Sequence, residues 1–405
     1  MKVLILGMDG YIGWALAQHQ LSMGNEVCGI DNFSRREHVN EMGSDSAFPL
    51  LPMELRIRNL KKTYGNKIEF FQGDLTNASF IDAVIKKFKP KGIVHLAEQP
   101  SAPFSMMDQK HAVYTHMNNV IGTLNLIYSI KNYAPEAHLV KLGTMGEYGY
   151  DSDLDIPEGF FEVEYRGKKA NMPFPKNAGS WYHWTKVHDS NNTMFACKLW
   201  GLKATDIMQG IVYGTRLKDI SKESYQNTRF DFDEAFGTVI NRYCVEAVIN
   251  HPLTVYGKGM QTRGFLALED SIQCISLLLS NPPEDENYRV VNQFDQQYNV
   301  SELAEKVKTI GDKKGLDVEI KSFENPRKEK EVHHYNADHN KLRDLGFKPT
   351  RHIDEEIDMM LDDLIPYKNR ISMFSNSIIK KINWIKNYNE TNMQQIEILQ
   401  QHRSK

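Results

Sequence analysis

The chain is predicted to be an α/β protein with a doubly wound, Rossmann-type parallel sheet and a smaller, discontinuous C-terminal domain. Three observations predict it. Lys2 to Gly7, KVLILG, is a short apolar run ended by glycine, as a strand covered on both faces should be. Gly7, Gly10 and Gly13 then carry the chain through a tight turn into a helix whose free N–H groups suit a phosphate. Strand and helix patterns alternate from there to about residue 210.

Composition sets the frame for this fold. The 405 residues bury a large core with ease, and 41% hydrophobic with 25% charged residues is ordinary for a globular protein. A net charge of −3 argues against nucleic acid as a partner. Cys28, Cys197, Cys244 and Cys274 form no C-x-x-C pair, so neither a metal site nor a disulfide framework is expected. No apolar run has the length of a membrane span, and the core strand begins at once, so a cytosolic protein with no membrane insertion is expected.

The helix after the glycines should run from Tyr11 to Met23 and the second strand from Glu26 to Ile30, with Asp31 at its tip. A carboxylate there hydrogen-bonds an adenosine ribose and repels a 2′-phosphate, so NAD is expected over NADP, although Arg35 and Arg36 follow closely. Residues 32–66 read as an insertion in which only Glu54 to Tyr64 is helical. A third strand, Ile68 to Gln72, leads to Asp74, a candidate acceptor for the adenine amino group. The fourth, Ile93 to Leu96, leads to Ala97-Glu98-Gln99, a lip over the pyrophosphate and nicotinamide.

A long helix is expected between His111 and Tyr133, with Asn118 and Asn119 inside it. Two buried amides need partners, either on a neighbouring strand or on the lysine and cofactor. The fifth strand, His138 to Leu142, delivers Thr144, Glu147 and Tyr148 to the C-terminal edge of the sheet. Tyr182 and Lys186 lie four apart at the start of the next helix, so the ammonium and phenol share a face and the cation draws the phenol pKa down from ~10. A phenol tuned in this way is a base for alcohol oxidation. Thr144, Tyr182 and Lys186 are therefore expected to converge over the cofactor.

After the strand Ala204 to Met208 the character changes. Residues 211–365 should form most of the smaller domain, with chain crossings back to the first, and residues 366–405 a tail. Arg263 and Arg327 would supply charge for a diphosphate. Ile378, Ile382 and Ile385 fall at helical spacing in the tail, which reads as a packed or partner-binding helix.

With these residues in view, the glycine motif, Tyr182-x-x-x-Lys186 and Thr144 resemble the extended short-chain dehydrogenase/reductases that act on nucleotide sugars. Five phrases carry the likeness further: Ser105-Met106, His116 to Asn125, Lys141 to Gly149, Lys186 to Ser190 and His251 to Gly259, all similar to the branch that joins sulfite to UDP-glucose. The likeness spans roughly residues 1–350. It implies a tightly held NAD, UDP-glucose and sulfite as substrates, and a homodimer. It also implies roles by position: Tyr182 as the base at the C4 hydroxyl, Lys186 as its partner on the nicotinamide ribose, and Thr144 on the sugar. Gly7, Gly10, Tyr11, Ile12, Gly13, Asp31, Asn32, Phe33, Ser34, Arg35, Asp74, Leu75, Asn118 and Val212 fall on cofactor positions. Gln99, Ser101, Gln209, Thr254, Tyr256, Arg263 and Arg327 fall on or near substrate positions.

Two departures from the family pattern bear on the chemistry. Relatives that eliminate water across C5–C6 carry Asp-Glu directly after the threonine, whereas this chain has Met145-Gly146 and only then Glu147. Plant members of the branch carry Arg after the Glu-Gln pair, where this chain has Pro100. Oxidising C4 of a hexose acidifies the C5 proton, so loss of that proton and of the C6 hydroxyl gives an enone to which sulfite adds. Met145 in place of a carboxylate suits an incoming anion. Glu147 and His183 are the candidates for the C5/C6 proton transfers. The same residues would also suit a nucleotide-sugar 4-epimerase or 4,6-dehydratase, or an NAD-binding sensor without catalysis.

Overall fold

A computed structural model describes residues 1–149, 154–218, 220, 223–284, 287–323, 325, 335–379 and 381–384. Strands β1 (Lys2–Leu6), β2 (Glu26–Asp31), β3 (Ile68–Gln72), β4 (Gly92–His95) and β5 (His138–Leu142) come first. A hairpin, β6 (Phe160–Tyr165) with β7 (Lys168–Pro173), precedes β8 (Lys203–Gln209) and β9 (Ile211–Tyr213). The remaining strands are β10 (Leu253–Tyr256), β11 (Thr262–Ala267), β12 (Tyr288–Gln293), β13 (Gln296–Asn299) and β14 (Ile320–Phe323).

Seven of them form one parallel sheet in the order β12-β8-β5-β4-β1-β2-β3. The near-continuous burial of β1, β4 and β5 follows from helices on both faces. Helices Tyr11–Ser22 and Leu268–Ser280 cover one face, while Ala78–Phe88, Gly122–Tyr133 and Trp181–Trp200 cover the other. Winding reverses between β1 and β4, and at such a switch point the strand ends splay and leave a crevice.

The second body has its own apolar core, made by helices Val239–Val248, Val300–Lys313 and Ile353–Leu364 against β9, β10, β11 and β14. β12 lies between these elements in sequence yet pairs with β8, so the chain returns to the large sheet before the smaller body is complete. Tyr11 ties the two together, its hydroxyl donating to the Gly214 carbonyl at 2.5 Å.

The insertion holds more helix than the sequence suggested. Ser34–Glu41 is helical as well as Met53–Tyr64. SRREHVNE has one buried residue, Val39, and no apolar period to betray it. Ion pairs hold it instead: Arg36 grips Asp9 at 2.6 Å and Arg35 grips Asp231 at 2.8 Å. Fully buried Arg56 also reaches Asp9, at 2.8 Å, and lies 3.7 Å from the centre of the Trp14 ring.

Helix 111–133 also differs from expectation. It is Gln109–His116 and Gly122–Tyr133 joined by a π turn, Met117–Ile121. The extra residue in that turn lets the two neighbouring asparagines serve different partners. In the tail, helix Lys368–Ser372 and turn Ser375–Ser377 pack onto the second body with Ile378 fully buried, while Ile385 lies outside the described residues. No described helix is long and apolar enough to cross a membrane.

One buried acid in the second body makes the fold pH-sensitive. Glu356 is 1% exposed, no described group hydrogen-bonds its carboxylate, and burial pushes its pKa up to about 7 against the pull of Arg351. The folded state thus holds this proton more tightly than the unfolded chain. Its contribution to stability is present in acid and is lost as pH rises through that value. Glu356→Gln should therefore stabilise the protein by about 2 kcal/mol at pH ~8 and little at pH ~4. Urea unfolding at the two pH values checks this; an equal difference at both would contradict it.

Candidate active site

A single long cavity runs from the glycine turn, across the switch point, to the second body. Its first end is shaped for a dinucleotide. Gly7 has φ +85°, and a Cβ there would sit 2.7 Å from the Leu96 carbonyl carbon. A Cβ on Gly13 would come 2.1 Å from the Gly7 oxygen, so only glycine lets helix Tyr11–Ser22 start this close to the turn. Gly10, Tyr11 and Ile12 line the cavity where the helix N–H groups face it.

Asp31 stands at the tip of β2, each carboxylate oxygen fixed by a backbone N–H: Asp9 at 2.8 Å and Phe33 at 2.7 Å. Burial and the neighbouring Asp9 raise its pKa to about 6. Arg35 and Arg36, which could have received a 2′-phosphate, are both spent on carboxylates. This donor set fits NAD. Asn32, Ser34, Arg35, Asp74, Leu75, Asn118 and Val212 all border the same space. Asp74 is oriented by Asn32 at 2.7 Å and by the Thr76 hydroxyl at 2.7 Å. Phe33 does not border it: its backbone is left-handed and its ring stacks on Phe70, centroids 5.7 Å apart, both partly buried against the core.

Toward the other end, Ser180 caps helix Trp181–Trp200, accepting the His183 N–H at 3.2 Å. The helix presents Tyr182, His183 and Lys186 to the cavity beside Thr144 and Met145. Lys186 Nζ donates to the Leu142 carbonyl at 2.5 Å, pairs with Glu98 at 2.6 Å, and lies 5.9 Å from the centre of the Tyr182 ring. The Glu98 side chain is 1% exposed and also faces His95, whose imidazole is kept neutral by burial, with a pKa of about 4.

Below this row lies a charged layer that no local pattern announced. Lys141 and Asp206, directly opposed on β5 and β8, pair at 3.0 Å with no exposure at all. Burial works against both charges, but each partner holds the other ionised: the Lys141 pKa is raised and the Asp206 pKa lowered. Asp189, one turn beyond Lys186, has no described hydrogen-bond partner for its carboxylate; burial, then Glu98, push its pKa well above the ordinary carboxylate range.

Besides Phe33, four residues expected at the site stand elsewhere. Glu147 does not line the cavity: it closes a capping box on Thr144 and is buried against Lys176 and the Ser190 hydroxyl, the latter at 2.8 Å. Gln99 points inward, bonding Thr115 at 2.9 Å and the Ser101 backbone, so it braces the lip. Thr254 is buried on Glu246 at 2.7 Å, and Tyr256 packs near Phe323 and Arg242. Ser101, Gln209 and Arg263 do line the cavity, and Arg327 lies outside the described residues.

Other lining residues carried no motif, among them Pro103, Asn177, Asp231, Phe236, Tyr335 and Trp384. Asn118 and Asn119 divide the labour: Asn118 lines the cavity, while Asn119 bonds the Gln99 backbone at 2.8 Å and Thr185 at 2.9 Å. Gly146 matters by its lack of a side chain, since a Cβ there would meet His183 Nε2 at 2.4 Å. The imidazole, with Nδ1 held 2.9 Å from the Ser180 hydroxyl, fills the space that a longer residue at 146 would need.

The profile of the NAD dependent epimerase/dehydratase family matches residues 3–293. The chain is 51% identical over 387 residues to the UDP-sulfoquinovose synthase of Sulfolobus acidocaldarius, covering 95% of this chain and 98% of that protein. It is 45% identical over 385 residues to the chloroplastic UDP-sulfoquinovose synthase of Spinacia oleracea, covering 95% and 79%. Among solved structures, the fold matches UDP-glucose 4-epimerase of Thermotoga maritima with UDP-glucose, TM-score 0.67 at 19% identity, over 92% of this chain and 100% of that one. It also matches the Thermus thermophilus UDP-glucose 4-epimerase complex with NAD, TM-score 0.64 at 22% identity, over 90% and 99%.

Proposed function

Because the chain belongs to the NAD dependent epimerase/dehydratase family and, within it, to the UDP-sulfoquinovose synthases, we propose that it joins sulfite to C6 of UDP-glucose to give UDP-6-sulfo-6-deoxyglucose. It is an NAD-dependent enzyme. The observation that carries the reading is the wall that Met145, Gly146 and His183 share with Thr144, Tyr182 and Lys186: the groups assigned to the C4 proton line one cavity, the residue after Thr144 carries no charge to repel an anion, and Glu98, which also borders it, is paired with Lys186 at 2.6 Å.

In this reading Tyr182 takes the proton of the C4 hydroxyl. Lys186, fixed by Glu98 and the Leu142 carbonyl, keeps a positive charge beneath the phenol and favours its ionised form. Thr144 accepts the Gly146 N–H at 3.1 Å, which aims its own O–H at the sugar. Bound NAD supplies the reversible oxidation at C4. His183 removes the C5 proton and helps the C6 hydroxyl leave as water; Glu147, off the cavity wall, is set aside for this step. The sulfite lone pair then forms the C6–S bond, C5 regains a proton, and the C4 ketone returns to an alcohol under Tyr182. Electrons and atoms balance with water as the other product.

Incubation with UDP-glucose, with and without sulfite, followed by weighing the nucleotide sugar, tests this reading. A 4-epimerase gives an isomer of unchanged mass and a 4,6-dehydratase a sugar lighter by one water, in both cases regardless of sulfite.

We also propose a homodimer working in the cytosol. Val113 and Met117 on one helix, and Phe195 and Leu199 on the other, are exposed apolar residues on the outer face, with Val120, Leu124 and Met194 partly covered beside them. Such a face suits a four-helix contact across a two-fold axis. The four cysteines are buried and unpaired, which fits a reducing compartment. Sedimentation at micromolar concentration should show the dimer, and Met117→Lys with Phe195→Glu should give a folded monomer. A wild-type monomer under those conditions would reject the proposal.

A further inference from the structure

Described residues 368–379 and 381–384 run back over the second body as far as the cavity. Ile371 and Ile378 are fully buried in the core of the second body. Between them the Ser377 carbonyl accepts the Glu234 N–H at 2.9 Å, and the Ser377 hydroxyl meets that of Ser44 at 3.1 Å. Glu234, itself 6% exposed, spends one carboxylate oxygen on two backbone N–H groups of the same segment, Lys381 at 2.6 Å and Ile382 at 3.1 Å. A buried carboxylate bound in this way is a strong anchor. Ile382 packs onto the apolar cluster of Phe104, Ala235 and Phe236, and Trp384 lines the cavity.

The loop that this segment grips is itself cavity wall, since Asp231, Ala235, Phe236 and Gly237 all line it. It lies at the reacting end. The Ser101 hydroxyl donates to the Ala235 carbonyl at 2.5 Å, and Ser105, at the end of the same short helical turn, accepts the Tyr182 N–H at 3.1 Å.

We propose that residues 375–379 and 381–384 form a strap that seals the reacting end of the cavity, with Trp384 as the wall residue that keeps bulk water from the bound sugar. The proposal rests on the reaction assigned above, and that reaction needs such a wall. Water adding to the enone places oxygen on C6 and hydrogen on C5, which merely restores the hexose. Sulfite wins only where water at bulk concentration is kept out. The leak leaves no trace in ordinary water, because the product of water addition is the starting sugar after C4 is reduced.

Water carrying the heavy oxygen isotope makes the leak visible. In that solvent, with UDP-glucose and limiting sulfite, wild-type enzyme should place little label on C6 of the recovered UDP-glucose. Trp384→Ala, and Glu234→Gln, which weakens the anchor, should each raise labelling relative to sulfonated product roughly tenfold. Trp384→Phe should fall back toward wild type. Labelling by Trp384→Ala no greater than wild type, with sulfonated product still formed, would overturn the strap. Were wild-type enzyme itself to form no sulfonated product, the assigned reaction would fall, and the strap would be judged by iodide quenching. The fluorescence component missing from Trp384→Phe should be shielded when UDP-glucose binds; equal quenching with and without the sugar would overturn it.

Discussion

Tyr182→Phe is expected to retain NAD and lose C4 oxidation by roughly a thousandfold, the range associated with removing a positioned proton acceptor. The ring should stay where it is. Its backbone N–H is held by the Ser105 hydroxyl at 3.1 Å, its carbonyl accepts the Thr185 hydroxyl at 2.7 Å, and the ring lies 4.9 Å from that of His183. None of these contacts uses the phenolic oxygen, so they persist in the phenylalanine variant while the acceptor is gone. Lys186→Ala is a blunter change. It leaves Glu98 buried without its 2.6 Å partner, at a cost of about 3 kcal/mol or more, so lost stability would accompany lost activity. Formation of keto sugar or reduced cofactor is the readout. A phenylalanine variant that forms either at the normal rate would show that another group takes the C4 proton.

Met145→Asp is expected to raise the sulfite KM by about tenfold or more while leaving UDP-glucose binding and C4 oxidation nearly intact. Met145 is 4% exposed and lies on the cavity wall next to Thr144, so a carboxylate there would face the incoming anion with little water between them. Met145→Asn separates charge from polarity and should move the sulfite KM far less. Initial rates against sulfite at saturating UDP-glucose decide the matter. An unchanged KM in the aspartate variant would place the anion elsewhere in the cavity.

What the residues disclosed in advance has a physical pattern. The large sheet was legible because β1, β4 and β5 are buried on both faces and read as apolar runs between helices of opposite period. The glycine turn was legible because close backbone approach admits no other residue at Gly7 and Gly13. Helix Ser34–Glu41 was not, because its stability comes from Asp9 and Asp231, ~30 and ~200 residues away in a chain whose folding alone brings them near. Glu98 under Lys186, and Lys141 opposite Asp206, were hidden for the same reason.

The misplaced site residues divide in two. For Gln99, Thr254 and Tyr256, position in the chain put them near the cavity, but the direction of the side chain depends on partners that only the fold supplies: Thr115, Glu246 and Arg242. Glu147 differs, because its signal was present. Thr144-Met145-Gly146-Glu147 is the T-x-x-E pattern of a capping box, in which the glutamate turns back to the threonine N–H and not outward. Read that way, the sequence leaves His183 as the group proposed for that proton transfer. The vacancy at Gly146 that admits its ring is the structural counterpart.

The central claim is that the Tyr182 site opens C6 of UDP-glucose to sulfite, and the mass of the nucleotide sugar formed from the two tests it most directly. The account predicts a product in which a sulfonate has replaced the C6 hydroxyl, formed without added oxidant or reductant and absent when sulfite is left out. A product of unchanged mass, or one lighter by a water, with sulfite present would contradict it.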